Sequence, residues 1–117
     1  KGRFVKDLLN QSCSACEIGA PLVPEDKQTD LLKELDGWII DHSDISKLIK
    51  EFKLKNYEQS IAFTNLIADL AESQDHHPKI TLEWGRVTLE WWSHKIRGLH
   101  MNDFICAAKS DEIFNAL

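Results

Sequence analysis

No run in this chain of 117 residues approaches the roughly 18 consecutive apolar residues of a membrane helix, so no span is expected. A basic excess is also missing. With 14 Lys and Arg against 19 Asp and Glu, the formal charge is -5, which argues against a nucleic-acid footprint. The one basic stretch, Lys47, Lys50, Lys53 and Lys55, is interleaved with apolar residues and Glu51 and reads as a solvated strand face. Cysteines are few and odd in number (Cys13, Cys16 and Cys106), so no disulfide framework is expected, and a reducing, cytoplasmic setting is. Cys13-Ser14-Ala15-Cys16 has the spacer of a zinc or redox pair, but the second half of a zinc site is absent, because His76 and His77 are adjacent. The chain has neither an HExxH run nor a GxSxG elbow, which removes two common hydrolytic designs. It also shows no internal repeat or low-complexity segment. The opening residues Lys1 to Val5 carry no apolar core of signal-peptide length and read as a trimmed start.

What is present fits one soluble domain. Residues 1–24 read as a loosely ordered lead-in, and 25–117 as the folded domain. Leu31, Leu32 and Leu35 form a helical stripe closed by Asp36-Gly37. Trp38 to Ile40 and Lys47 to Leu54 read as strands. Asn56 can cap a helix with Gln59 reaching back, and Phe63, Leu66, Ile67, Leu70 and Ala71 repeat at core-facing helical spacing. Ile80, Leu82 and Trp84 alternate with polar residues, as do Val87, Leu89 and Trp91; around Gly85-Arg86 they form a hairpin. A last helix runs from about Met101 towards Leu117, with Phe104, Ala107 and Ala108 on one face. The predicted class is α+β: a four-stranded antiparallel sheet with three helices packed on one face, in the order αββαββα.

Chemistry concentrates in Glu72-Ser73-Gln74-Asp75-His76-His77-Pro78 and in Ser93-His94, with His94 sixteen residues after the proline. Pro78 biases His77 towards extended backbone, so the chain leaves a helix and enters a strand here. The two segments lie at neighbouring ends of a hairpin, which brings three imidazoles and the carboxylates of Glu72 and Asp75 to one rim. Imidazoles titrate near neutrality and suit proton transfer. Metal binding is weakened by the spacing, and no activated nucleophile is evident, since Ser93 and His94 point to opposite faces. General acid–base chemistry on a bound heterocycle survives best, with Trp84, Trp91 and Trp92 available as an aromatic wall.

These residues resemble the pterin-4a-carbinolamine dehydratases, bacterial branch. The resemblance rests on Glu72 to Pro78, on Ser93-His94, and on Gly98-Leu99 followed by Asp103; Gly37-Trp38 and Phe52 to Tyr57 extend it over about residues 25 to 115. It implies dehydration of 4a-hydroxytetrahydropterin to quinonoid dihydropterin, recycling the cofactor of aromatic amino-acid hydroxylases such as phenylalanine hydroxylase, with no metal and no cofactor. The implied catalytic residues are His76, His77 and His94, with His76 and His94 as the acid–base pair and His77 holding the ring. The implied substrate-binding residues are Glu72, Asp75, Pro78, Trp92, Ser93, Lys95 and Asp103, with Asp75 or Glu72 orienting an imidazole. His100 departs from the Ser or Thr of many relatives and is expected to cap poorly, leaving Asp103 to oppose the helix dipole; it and His42 read as surface residues. A homodimer or homotetramer is expected, built on an edge strand ending at Trp92 and on the last helix. The competing class is a non-catalytic dimerisation or coregulator module, which the acidic charge disfavours. A zinc protein using Cys13, Cys16 and histidines is the third reading.

Overall fold

A computed structural model describes residues 8–11, 13 and 21–117. Helix α1 (Glu25–Lys33) is followed by strands β1 (Ile39–Asp41) and β2 (Lys47–Lys53), then helix α2 (Tyr57–Gln74). Strands β3 (Lys79–Glu83) and β4 (Arg86–Trp91) lead into helix α3 (Met101–Asn115). The described tail of the lead-in adds a short helical stretch at Leu8 to Asn10. The predicted α+β order therefore holds. All strand pairs are antiparallel, in the order β1-β2-β4-β3.

That order corrects one expectation. β4 is an interior strand, paired with β2 from Leu48↔Trp91 to Lys53↔Arg86 and with β3 on its other side. The sheet edges are β1 and β3, so the strand ending near Trp92 offers no free edge for association. The reason is apolar area. Val87, Leu89 and Trp91 of β4 and Leu48 and Phe52 of β2 face the helices, and pairing the two strands places all five under one cover.

Helix α2 begins where Asn56 Oδ1 accepts the Gln59 N–H at 2.9 Å. It buries Phe63, Ile67, Leu70 and Ala71 as its periodicity predicts, while Leu66 at the flank of the stripe stays exposed. Phe52, Phe63 and Phe114 meet at centroid distances of 4.9 to 5.6 Å and join sheet, α2 and α3. Lys50 departs from the solvated lysine face. It shares the inward side of β2 with Leu48 and Phe52, where its Nζ reaches Asp111 Oδ1 at 2.8 Å and the Asp36 carbonyl at 2.6 Å. Trp38 Nε1–H donates to the same Asp111 carboxylate. Burial raises the Asp111 pKa, opposed by Lys50 and Trp38.

Helix α3 buries Phe104 to Ala108 on every side, more than the single face its pattern predicts. The additional cover comes from the lead-in. Leu8 is fully buried, Lys109 Nζ donates to the Leu9 carbonyl at 2.7 Å, and Cys13 sits against Cys106. His100 is a second correction. It is buried, not on the surface, and its Nδ1 accepts the Asn102 N–H at 3.0 Å while Asp103 Oδ2 accepts the His100 N–H at 2.9 Å. This is a full capping box with imidazole in place of a hydroxyl.

His100→Ala should therefore lower the unfolding free energy by about 1 kcal/mol, and His100→Ser, which keeps a capping acceptor, should recover most of it. Urea unfolding of the three proteins checks this; equal stability of wild type and His100→Ala removes the capping role.

Candidate active site

The end of α2 places the first imidazole. Asp75 adopts left-handed backbone (φ 51°), its N–H reaches the Glu72 carbonyl, and the His76 N–H reaches the Ala71 carbonyl at 3.1 Å. This closes the helix as a Schellman turn and throws His76 inward. The imidazole lies parallel to the buried indole of Trp91, with centroids 5.7 Å apart and planes 9° off. Its Nε2–H donates to Asp103 Oδ1 at 2.6 Å.

Asp103 is fully buried, and both its oxygens are engaged. Besides His76, its carboxylate accepts the Ser93 hydroxyl and the His100 N–H, each at 2.9 Å. The site's buried carboxylate is therefore joined to the ends of α2 and β4 and the start of α3. Burial of His76 opposes its charged form, but the hydrogen bond to Asp103 and that carboxylate's charge outweigh it, with smaller help from Cys13 and Asp75, and the net pKa is raised.

The other two imidazoles stand in different surroundings. His77 is exposed and donates through Nε2 to Glu72 Oε2 at 2.6 Å, so the expectation that Glu72 orients an imidazole applies to His77. Asp75 orients neither; it shapes the turn and adds charge near His76. The carboxylate that holds His76 is Asp103, which sequence reasoning placed on the substrate. His94 is exposed and leans on the Trp92 ring at 4.4 Å, while Lys47 Nζ lies 4.6 Å from the same ring's centroid. The loop carrying His94 and exposed Lys95 is pinched shut by Ser93 and Gly98, which exchange backbone hydrogen bonds of 2.8 and 3.3 Å. Pro78 is half-buried ahead of β3.

The pairing Lys79↔Glu90 puts residues 76–78 and 92–94 at one end of the sheet. Among the described residues, no hydrogen bond or ring contact joins His94 to His76 or His77. Trp84 lies at the opposite end, in the β3–β4 turn beside an open groove lined by Lys53, Leu54 and Arg86, so it is no part of the aromatic wall. Cys16 falls outside the described residues. Among those described, no three His, Cys, Asp or Glu side chains are grouped to hold a metal ion, and no helix is long and apolar enough to cross a membrane.

Comparison with known proteins agrees with this architecture. The family model described as Pterin 4 alpha carbinolamine dehydratase matches residues 21–113. A Vibrio cholerae protein, given the name pterin-4-alpha-carbinolamine dehydratase by inference, is 55% identical over 102 residues, covering 86% of this chain and 94% of its own length. A Chlorobium luteolum protein named in the same way is 43% identical over 112 residues, covering 95% of this chain and 98% of its own. The crystal structure of a transcriptional coactivator/pterin dehydratase from Brucella melitensis superposes with a TM-score of 0.75 at 27% identity, covering 80% of this chain and 98% of that one.

Two outcomes follow from the Asp103 hub. Asp103→Ala, which strands a buried imidazolium, should cost about 3–5 kcal/mol in unfolding free energy. Because the folded pKa of His76 lies above its ordinary 6.5, the pair stabilises the fold fully below that value, and this contribution is lost as pH rises through the raised folded pKa. Denaturant titrations of wild type and His76→Asn across this range should converge as pH rises; a constant gap means the pair is not charged.

Proposed function

This chain belongs to the pterin 4 alpha carbinolamine dehydratase family, and from that premise we propose that it is a hydro-lyase removing water from a 4a-hydroxytetrahydropterin. The product is the quinonoid dihydropterin, and the reaction serves to recycle the pterin cofactor of an aromatic amino-acid hydroxylase in the cytoplasm. The observation that carries the reading is the buried His76, paired with Asp103 and stacked on Trp91 at one end of the sheet.

The chemistry needs an acid and a base. Hydroxide leaves C4a poorly, so His76 in its imidazolium form gives it a proton and it departs as water. The carbon–oxygen bond breaks as a C4a–N5 double bond forms, and neutral His94 takes the proton from N5. His76 ends neutral and His94 charged, and solvent restores both. Nε2 of His76 is committed to Asp103, which leaves Nδ1 for the ligand. Asp103 is thus a positioning residue that keeps the acid charged near neutrality. His77, held by Glu72, lies beside the ring and binds it, together with Asp75, Pro78, Trp92, Ser93 and Lys95. The oxidation level is unchanged, so no redox cofactor enters.

The direct test follows ultraviolet absorbance of freshly generated 4a-hydroxytetrahydropterin with and without the protein. His76→Ala and His94→Ala should each lower kcat on the order of 10²–10⁴-fold with the fold retained, while His77→Ala should mainly raise KM. A folded protein with no effect on the rate would turn the function towards the coregulator module. A second expectation concerns pH. If His76 acts as the acid, kcat/KM falls on the alkaline side with a midpoint above 6.5, the ordinary histidine value, and Asp103→Asn moves that limb to lower pH. An alkaline limb that Asp103→Asn leaves in place assigns the acid to another group.

A further inference from the structure

The lead-in cysteine has no part in the dehydration, yet it occupies a defined position. Cys13 Sγ lies 3.5 Å from Cys106 Sγ, across 93 residues of chain. Its backbone N–H donates to Gln74 Oε1 at 2.8 Å, and its sulfur lies 3.7 Å from the Asn102 carbonyl. Gln74 is the last residue of α2, one before the turn that places His76, and Asn102 precedes Asp103. Cys13 therefore bridges the two helix ends that deliver the imidazole and its carboxylate. Cys106 is one turn beyond Asp103 and fully buried, whereas Cys13 is half-buried at the surface.

We propose that Cys13 and Cys106 are a peroxide-oxidisable dithiol site, closing to a reversible disulfide that staples the lead-in to α3 behind the His76–Asp103 pair. The two thiols are unequal. The hydrogen bond from Cys106 lowers the Cys13 pKa against the opposing effect of burial, with help from His76 and Lys109 and opposition from Asp103. The same contact and burial push Cys106 far up. Cys13 is thus the attacking thiolate and Cys106 the resolving thiol.

The Cys13 thiolate attacks hydrogen peroxide, the oxygen–oxygen bond breaks, and hydroxide leaves a sulfenic acid on Cys13. Cys106 sulfur then attacks that sulfenic sulfur, a sulfur–sulfur bond forms, and the oxygen leaves as water with the Cys106 proton. Two thiols lose two electrons, and peroxide is reduced to two waters. Closing the gap to about 2.05 Å draws the sulfurs together by roughly 1.5 Å, within reach of a side-chain and lead-in adjustment. This site does not depend on the dehydratase reading.

The test treats the full, reduced chain with equimolar hydrogen peroxide, blocks remaining thiols by alkylation and maps peptides by mass spectrometry, for wild type and Cys16→Ser. The expected product in both is monomeric, lighter by two hydrogens, crosslinked between the peptides of Cys13 and Cys106, and restored by dithiothreitol. Its thermal midpoint should lie above that of the reduced protein, because a long loop is closed in the unfolded chain. A Cys13–Cys16 crosslink that vanishes in Cys16→Ser overturns the proposal. So does a disulfide between two copies, sulfinic acid at Cys13 with Cys106 still reduced, or no oxidation at all.

Discussion

A carboxylate with no access to water must find its partners inside the protein, and Asp103 finds three. It accepts from the His76 imidazole, the Ser93 hydroxyl and the His100 backbone N–H. Leaving a buried charge unpaired costs several kcal/mol, so these bonds constrain where three separate elements can stop. The end of α2, the end of β4 and the start of α3 are drawn to one point. The loop from Ser93 to Gly98, with exposed His94 on it, is anchored at the same point by the Ser93 hydroxyl.

The sheet supplies the rigid support for that hub. β4 is interior and its alternation is inward at Val87, Leu89 and Trp91, so the Trp91 indole is immobilised between neighbouring strands before it offers its face to His76. A second internal ion pair, Lys50 with Asp111, ties β2 to the far half of α3 and is closed by Trp38. Helix α3 is thus held near both ends by acids, Asp103 fully buried and Asp111 part-buried, which leaves its first turn little freedom to move Asp103 relative to the imidazole. The pairing with Asp103 favours the charged form of His76 even though its imidazole is buried.

Much of the frame was legible along the chain. The stripe from Phe63 to Ala71, the Asn56 cap, the hairpin around Gly85 and the junction at Pro78 all depend on neighbours within a few residues, and the structure agrees with each. The placing of Glu72 beside an imidazole was likewise readable, because five residues across a helix end are close in space. Other features were not. His100 reads as a surface histidine until the burial of the first turn of α3 makes it the cap. Lys50 reads as one of a row of solvated lysines until Asp111, 61 residues away, appears behind it. The lead-in shows no periodicity of its own, and Leu8 and Cys13 acquire partners only once α3 is in place.

By itself, the sequence determined the family, the order αββαββα, and the two short segments that carry three of the chain's five histidines. These are carried by local periodicity, capping residues and motif spacing, all set by contacts between near neighbours. Only the tertiary structure decided which carboxylate serves which imidazole, which strand lies inside the sheet and which side of Lys50 faces in. Those outcomes depend on contacts between residues 27 to 61 apart. Such contacts arise from the demand that buried charges be paired and apolar faces be covered, and no local pattern encodes the partner that meets it.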